Sequence, residues 1–197
     1  MKKALIKSGL FYFLPVHSYL NSMNLQPKIH ASFKTDRLSV MPLSSDLNLE
    51  LLALETKTIL SPEVTKALPS GWQNIDSNDK AAAWIEDRLG ESIVLLIHSQ
   101  DDADLLGFIF LYMDDDSTEN SIVIRFGYLL REGNWGKGIG TEVMRGFIQW
   151  SKETNYIKSI SGGVEKSNIG SIKVLEKVGF IKSNEETEDT LFYSYSF

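Results

Sequence analysis

The sequence predicts one domain of the α/β (α+β) class, built on a central mixed, mostly antiparallel sheet of about seven strands with about four helices. Three observations lead there. Strand-like and helix-like runs intermix along the chain in the order β-α-α-β-β-β-α-β-α-β-β. The three consecutive strand-like runs in the middle begin with a short polar link, as in an antiparallel meander. The length of 197 residues fits one domain, and roughly 70 % of the extended chain's surface could be buried at that size.

The elements follow in order. Residues 1–30 read as an appended arm ahead of a domain over 31–197. Lys2 and Lys3 before Ala4-Leu5-Ile6 resemble the start of a secretion signal, but Lys7 interrupts it. The run Leu10 to Leu14 is too short for a membrane span, and Met23 offers an alternative start. Arg37 to Met41 alternates and ends at Pro42, a strand. Ser44 or Ser45 caps a helix over Leu47–Leu54, with Leu47, Leu51 and Leu54 on one face. A short helix lies between Pro62 and Pro69. Asp76 and Ser77 cap a helix over Lys80–Leu89, with Ala81, Trp84, Ile85 and Leu89 as its apolar stripe and Gly90 closing it.

Strands are expected over Ser92–His98, Leu105–Met113 and Ser121–Leu130, with acidic turns at Asp101-Asp102 and Asp114-Asp115-Asp116. After the glycine-rich break at 136–140, Val143, Met144, Phe147, Ile148 and Trp150 recur at helical spacing. Ile157–Val164 reads as a strand. Ser167 or Asn168 opens a helix with Ile172, Leu175 and Val178 inward, and Gly179 ends it. Phe180–Lys182 and Leu191–Phe197 are the last strands, separated by an acidic turn containing Glu185, Glu186, Glu188 and Asp189.

Composition removes several classes of function. The absence of cysteine excludes a disulfide scaffold, a cysteine-held metal and a thiol nucleophile. The 20 Lys+Arg against 26 Asp+Glu give −6, which disfavours nucleic acid as a partner because phosphate binding needs a basic footprint. His17, His30 and His98 lack metal-ligand spacing, so no metal is expected.

The segment that carries chemistry runs from Phe126 to Glu142. A strand enters Trp135-Gly136-Lys137-Gly138-Ile139-Gly140-Thr141 and then an amphipathic helix. Glycines let a ligand approach the backbone, and the helix start offers unpaired N–H groups and a positive dipole end. Together they suit a pyrophosphate, with Lys137 at the edge. The spacing G-x-G-x-G is neither a P-loop nor a dinucleotide fingerprint, which disfavours ATP and NAD.

Trp135 to Gly140 resembles the acetyl-CoA loop of the GNAT superfamily of N-acetyltransferases, whose usual form is [QR]-x-x-G-x-[GA]. Trp135 at the first place is similar to the branch that contains the ribosomal-protein N-terminal acetyltransferases (RimJ/RimL-like). Thr35 to Leu43 resembles that branch's opening strand, with Met41 in place of an Arg. Asn168 to Phe180 resembles its N-x-x-S-x-x-x-L-E-K-x-G-F segment. The likeness covers about 35–197 in register with the elements above.

The resemblance implies a GNAT fold whose sheet splays beside the glycine loop to admit acetyl-CoA. It implies that Trp135, Gly136, Lys137, Gly138, Ile139, Gly140 and Thr141 present backbone N–H groups to the pyrophosphate. Leu129 and Leu130 would pair with the pantetheine arm, with the Leu130 N–H as oxyanion donor. Asn168 would contact the arm. Ser171 would lie near the thiol as hydrogen-bond donor or acid for the thiolate, with Tyr193 and Tyr195 as other possible donors. The family often has a Glu three residues before the Tyr of its G-Y pair. Arg125 stands there, so Glu119 and Glu165 are the replacement candidates for a base.

The implied activity is acetyl transfer from acetyl-CoA to a primary amine by direct attack in a ternary complex, acting on a peptide or protein α-amine. A small-molecule amine (a polyamine, amino acid or antibiotic) is the alternative acceptor. A non-catalytic acetyl-CoA-binding module is the alternative of another class, and a version tethered to a membrane by residues 5–20 is a third. A cytoplasmic monomer or homodimer, with no stable membrane span, is expected.

Overall fold

The computed structural model describes residues 29–44, 47–66, 68, 70–114, 117–118 and 121–197. Residues 1–28 of the expected arm with the alternative start at Met23, the cap candidate Ser45, Glu119 and two of the three aspartates of the 114–116 turn lie outside those residues. Ile29, placed in the arm by the sequence reading, is 5 % exposed and belongs to the core.

Eight strands form one sheet in the order β1-β2-β3-β4-β5-β6-β8-β7. They are β1 (Phe33–Lys34), β2 (Leu38–Pro42), β3 (Ile93–Ser99), β4 (Leu105–Met113), β5 (Ile122–Leu130), β6 (Ile157–Glu165), β7 (Ile181–Glu186) and β8 (Thr190–Ser196). The helices are α1 (Leu49–Ile59), α2 (Pro62–Thr65), α3 (Asn78–Glu91), α4 (Ile139–Thr154) and α5 (Ile169–Lys177). The expected meander β3-β4-β5 is antiparallel throughout. The extra strand is β1, whose two residues are too few for any periodicity to reveal.

The sheet separates two cores. One holds Leu95, Ile97, Ile109, Ile124, Phe126 and Ile160 against Val143, Met144 and Phe147 of α4 and Leu175 of α5. The other holds Val94, Leu96, Phe108, Phe110 and Leu129 against α1, α2 and α3. The β-strand period of two sends Ile122, Ile124, Phe126 and Leu130 of β5 into the first core and Leu129 into the second.

Two helix faces differ from the sequence reading. In α1 the N-cap is Asn48, whose side chain accepts from Leu51 N–H, and the buried residues are Leu52, Ala53, Thr56 and Ile59. Leu47, Leu51 and Leu54 are exposed. Leucines occupy both faces of this segment, and packing against α3 selects the side carrying the small Ala53. In α3 the helix runs through Gly90 to Glu91, and Arg88 rather than Leu89 completes the stripe begun by Ala81, Trp84 and Ile85. The Arg88 guanidinium stacks 4.5 Å from the Trp72 ring centroid and bonds Glu91 through Nε at 3.2 Å, which makes its burial tolerable. In α5 only Leu175 is fully buried; Ile172 and Val178 pack at its margin.

Strand β7 extends to Glu186, so Glu185 and Glu186 belong to the strand and the turn is confined to 187–189. Among the described residues, no helix is long and apolar enough to cross a membrane.

Candidate active site

Strands β5 and β6 are parallel neighbours for only half their length. Their pairing runs from Ile122 with Ile157 to Arg125 with Ser161 and then stops. Residues 126–130 and 162–165 continue without pairing to each other, so the sheet opens toward the carboxyl ends of both strands. The β6 strand stays attached to β8 up to Glu165 and Thr190. Strand β5 stays attached to β4 up to Leu130 and Gly107.

Hydrogen-bond parity shows which backbone groups line the opening. Arg131 N–H donates to Leu106 O at 2.8 Å, and Asp114 N–H donates to Val123 O at 2.9 Å. Odd-numbered residues of β5 therefore turn their N–H and C=O toward β4. Even-numbered ones turn the other way, as Ile122 N–H shows by donating to Tyr156 O at 2.8 Å. Leu130 N–H consequently faces the opening. Leu130 O is held by the Trp135 indole, whose Nε1 donates at 2.9 Å. Leu129 turns its backbone groups into the β4 ladder opposite Phe108 and its side chain into the α1–α3 core, so it meets the opening through neither.

The glycine loop closes the open end. A single 3-10 turn over Glu132–Asn134 leads into it. Gly136 and Gly138 adopt φ of +72° and +80°, conformations that a Cβ disfavours. Gly138 is the N-cap of α4 and supplies no side-chain cap. The helix ladder begins with Glu142 N–H on Gly138 O at 3.1 Å, so the N–H groups of Ile139, Gly140 and Thr141 precede it. The Trp135 N–H differs from the expectation for this loop. It donates to Glu132 O at 3.0 Å, because the 3-10 turn must be closed before the glycines. Ile139 is buried by its side chain and meets the loop surface only through its backbone, whereas Lys137 is exposed. A Cβ at Gly140 would lie 3.5 to 3.7 Å from Val174, the Tyr128 hydroxyl and Leu130, so this glycine keeps a cradle between α4, α5 and β5 open.

A latch holds the loop from the turn between β1 and β2. Glu142, in the first turn of α4, accepts from Thr35 Oγ1 at 2.6 Å, Arg37 N–H at 2.9 Å and Arg37 Nε at 2.7 Å. Arg37 Nη1 also donates to Lys137 O at 3.2 Å. Desolvation opposes ionisation of Glu142, but these donors and the Arg37 charge outweigh it and hold the carboxyl below its ordinary value. The sequence reading placed Arg37 at the start of a strand and Thr35 in the stretch resembling a family's opening strand, and gave neither a role at the loop.

At the α5 end, Asn168 caps the helix by accepting from Ser171 N–H at 3.0 Å. Ser171 Oγ accepts from the Tyr128 hydroxyl at 3.3 Å. Burial raises the Tyr128 phenol above its ordinary value, and the Ser171 contact partly offsets this. Sequence reasoning missed Tyr128 because it lies in an apolar strand run, where an aromatic residue reads as core. Its place beside Gly127 was the available signal.

The remaining candidates stand elsewhere. Tyr193 is buried and donates to Glu176 Oε1 at 3.1 Å. Tyr195 packs on Phe180 and Phe197. The Tyr193 hydroxyl is thereby committed to α5 at Glu176, and the Tyr195 ring to an aromatic cluster. Arg125 is ion-paired with Asp114, the first aspartate of the expected acidic turn, at 2.6 Å. Glu165 accepts from Ser167 Oγ at 3.2 Å. Among the described residues no group of three or more His, Cys, Asp or Glu could hold a metal ion.

Comparison with known proteins gives a consistent set. The family described as acetyltransferase (GNAT) domain matches residues 37–181. A Bacillus subtilis relative that bears the name "Probable N-acetyltransferase YjcK" is 41 % identical over 56 residues, 28 % of this chain and 31 % of that protein. A second relative from the same organism is 29 % identical over 93 residues, 47 % of this chain; the chain thus spans 31 % and 54 % of the two curated relatives it matches. The structure of a GNAT-family acetyltransferase from Bacillus anthracis superposes with a TM-score of 0.69 at 14 % identity, covering 84 % of this chain and 98 % of that one. The microcin C7 self-immunity acetyltransferase MccE, solved with acetyl-CoA and AMP, gives a TM-score of 0.61 at 20 % identity over 83 % of this chain and 94 % of that one.

Proposed function

The chain belongs to the GNAT family of acetyltransferases, and from that premise we propose that it transfers an acetyl group from acetyl-CoA to a primary amine in the opening between β5 and β6. One observation carries the reading. The sheet parts after Arg125 and Ser161, and the uncapped first turn of α4 stands at the mouth of the gap. The N–H groups of Ile139, Gly140 and Thr141 form the anion cradle for the pyrophosphate, with Gly136, Gly138 and Lys137 shaping its rim. The complex of MccE with acetyl-CoA supports this assignment by fold.

The Leu130 N–H then receives the thioester oxygen as charge develops on it. The neutral amine attacks the carbonyl carbon, a C–N bond forms and the C–S bond breaks. The electron pair stays on sulfur, and the proton lost by the amine ends there. Ser171 donates to the leaving sulfur, and Asn168 holds the turn that presents it. The chain has no thiol nucleophile, in keeping with direct attack.

The acceptor is a peptide or protein α-amine of the kind used by the RimJ/RimL-like branch. With Arg125 at the place of the usual base, an amine with a pKa near 8 is the less demanding substrate than a lysine near 10.4. The same arginine, already paired with Asp114, also supports a rival reading as an acetyl-CoA-binding module without turnover.

The test is free-thiol release from acetyl-CoA with peptides bearing free Ala, Ser or Met termini, a lysine peptide with a blocked terminus, spermidine and an aminoglycoside. Acceptor-dependent release abolished by Gly138→Glu is expected, with the α-amine peptides best. A thermal shift by acetyl-CoA without release would favour the binding module. Neither release nor shift would end the acetyl-CoA assignment.

A further inference from the structure

We propose that Tyr128 is the positioning residue for Ser171: its phenol donates to Ser171 Oγ and leaves the serine's own proton directed into the cleft. The inference rests on the acetyl-transfer reading, in which Ser171 stands beside the leaving sulfur.

Parity first places the side chain. Tyr128 shares its strand face with Phe126 and Leu130, the face covered by α4 and α5. Its hydroxyl reaches Ser171 Oγ at 3.3 Å, across 43 positions of sequence. The same hydroxyl lies 3.6 Å from where a Cβ on Gly140 would stand. It therefore sits between the amino ends of α4 and α5, on the floor of the opening beyond Arg125 and Ser161.

The direction of the bond follows from acidity. A phenol is a stronger donor than an aliphatic alcohol, so in a Tyr–Ser pair the phenol O–H donates the hydrogen bond and the serine oxygen accepts it. Ser171 then keeps one O–H to donate. Its N–H is already committed to Asn168 Oδ1. Both the backbone and the hydroxyl oxygen of Ser171 are thus held, and its remaining freedom is the rotation of one proton.

Chemistry gives that arrangement a use. As the C–S bond breaks, the pair left on sulfur meets the chain Tyr128 O–H···Oγ–H of Ser171. Accepting one hydrogen bond makes the serine a better donor of the next. Tyr128 transfers no proton in this scheme. Burial keeps its phenol neutral, and the sulfur receives the proton that the amine loses.

Tyr128→Phe, Ser171→Ala and the double variant test this by thiol release with the best acceptor, alongside acetyl-CoA affinity by calorimetry. Tyr128→Phe keeps the ring. It should lower kcat about tenfold, equivalent to about 1.4 kcal/mol, and leave KM and Kd for acetyl-CoA within about twofold. Ser171→Ala should lower kcat at least as far, and the double variant no further than Ser171→Ala. Ser171→Thr, which keeps a hydroxyl, should remain sensitive to Tyr128→Phe. Losses that add in the double variant, or a Tyr128→Phe kcat equal to that of the wild type, would overturn the positioning role while acetyl transfer stood. No release by the wild-type protein with any acceptor would overturn both.

Discussion

Gly107→Ala is a substitution far from the glycine loop in sequence that should strike the site through the sheet. Gly107 lies opposite Leu130 in the β4–β5 ladder. A Cβ there would stand 2.1 Å from Leu129 O and 3.0 Å from Leu130 Cα. Ordinary contact begins at 3.4 Å, so the strands must part by about 1.3 Å. The Arg131 N–H bond to Leu106 O, now 2.8 Å, would stretch beyond any useful length. The Phe108–Leu129 pair would open with it. Three ladder bonds at about 1 kcal/mol each make a loss of about 3 kcal/mol, or roughly 6–12 °C in Tm at this chain length.

The obstacle is backbone, so no rotamer relieves it. The same displacement moves the Leu130 N–H, and about 1 Å of misplacement at a reacting centre costs on the order of 100-fold in rate. Thermal and urea unfolding would read the first effect, and kcat for thiol release the second. A Gly107→Ala protein melting within about 1 °C of the wild type would refute the register argument, and with it the assignment of Leu130 N–H to the opening.

Three further outcomes follow from the same structure. Glu142→Gln should lower stability by about 1 kcal/mol near neutral pH and raise KM for acetyl-CoA by loosening the loop, with kcat little changed. The folded Glu142 carboxyl sits below its ordinary value of 4.5. Its contribution is therefore complete above that value and is lost as the pH falls through the lowered folded one, so the Tm gap to Glu142→Gln should close on acidification. In α1, Leu52→Ala should cost about 2–5 kcal/mol while Leu51→Ser changes Tm hardly at all, a direct check in denaturant of which face is buried. Tyr193→Phe should lower stability by about 1 kcal/mol through loss of its bond to Glu176 and leave kcat unchanged, which a steady-state assay would show.

Local chemistry made much of this protein legible before any coordinates. The strand runs of β3, β4 and β5 are apolar stretches bounded by polar turns, and the α4 stripe repeats at the helical period; both are properties of neighbouring residues. Gly136 and Gly138 announced a loop needing positive φ for the same reason. The helix caps at Ser77 and Asn168 are equally local, each bonding a backbone N–H within three positions.

What the tertiary structure decided has one common cause: each item depends on groups far apart in the chain meeting in space. Leucines stand on both sides of α1, and only packing on α3 chose Leu52 over Leu51. The inward Arg88 depends on the aromatic rings of Trp72 and Trp84. Trp135 entered the sequence reading for its place in the glycine loop, and only the folded chain shows its Nε1 occupying the Leu130 carbonyl. Arg37 reaches Glu142 over 105 positions, and Tyr128 reaches Ser171 over 43. Sequence periodicity reports which face of an element is apolar. It carries no record of which distant polar atom will complete a hydrogen bond, because that choice is made only when strands and helices close on one another.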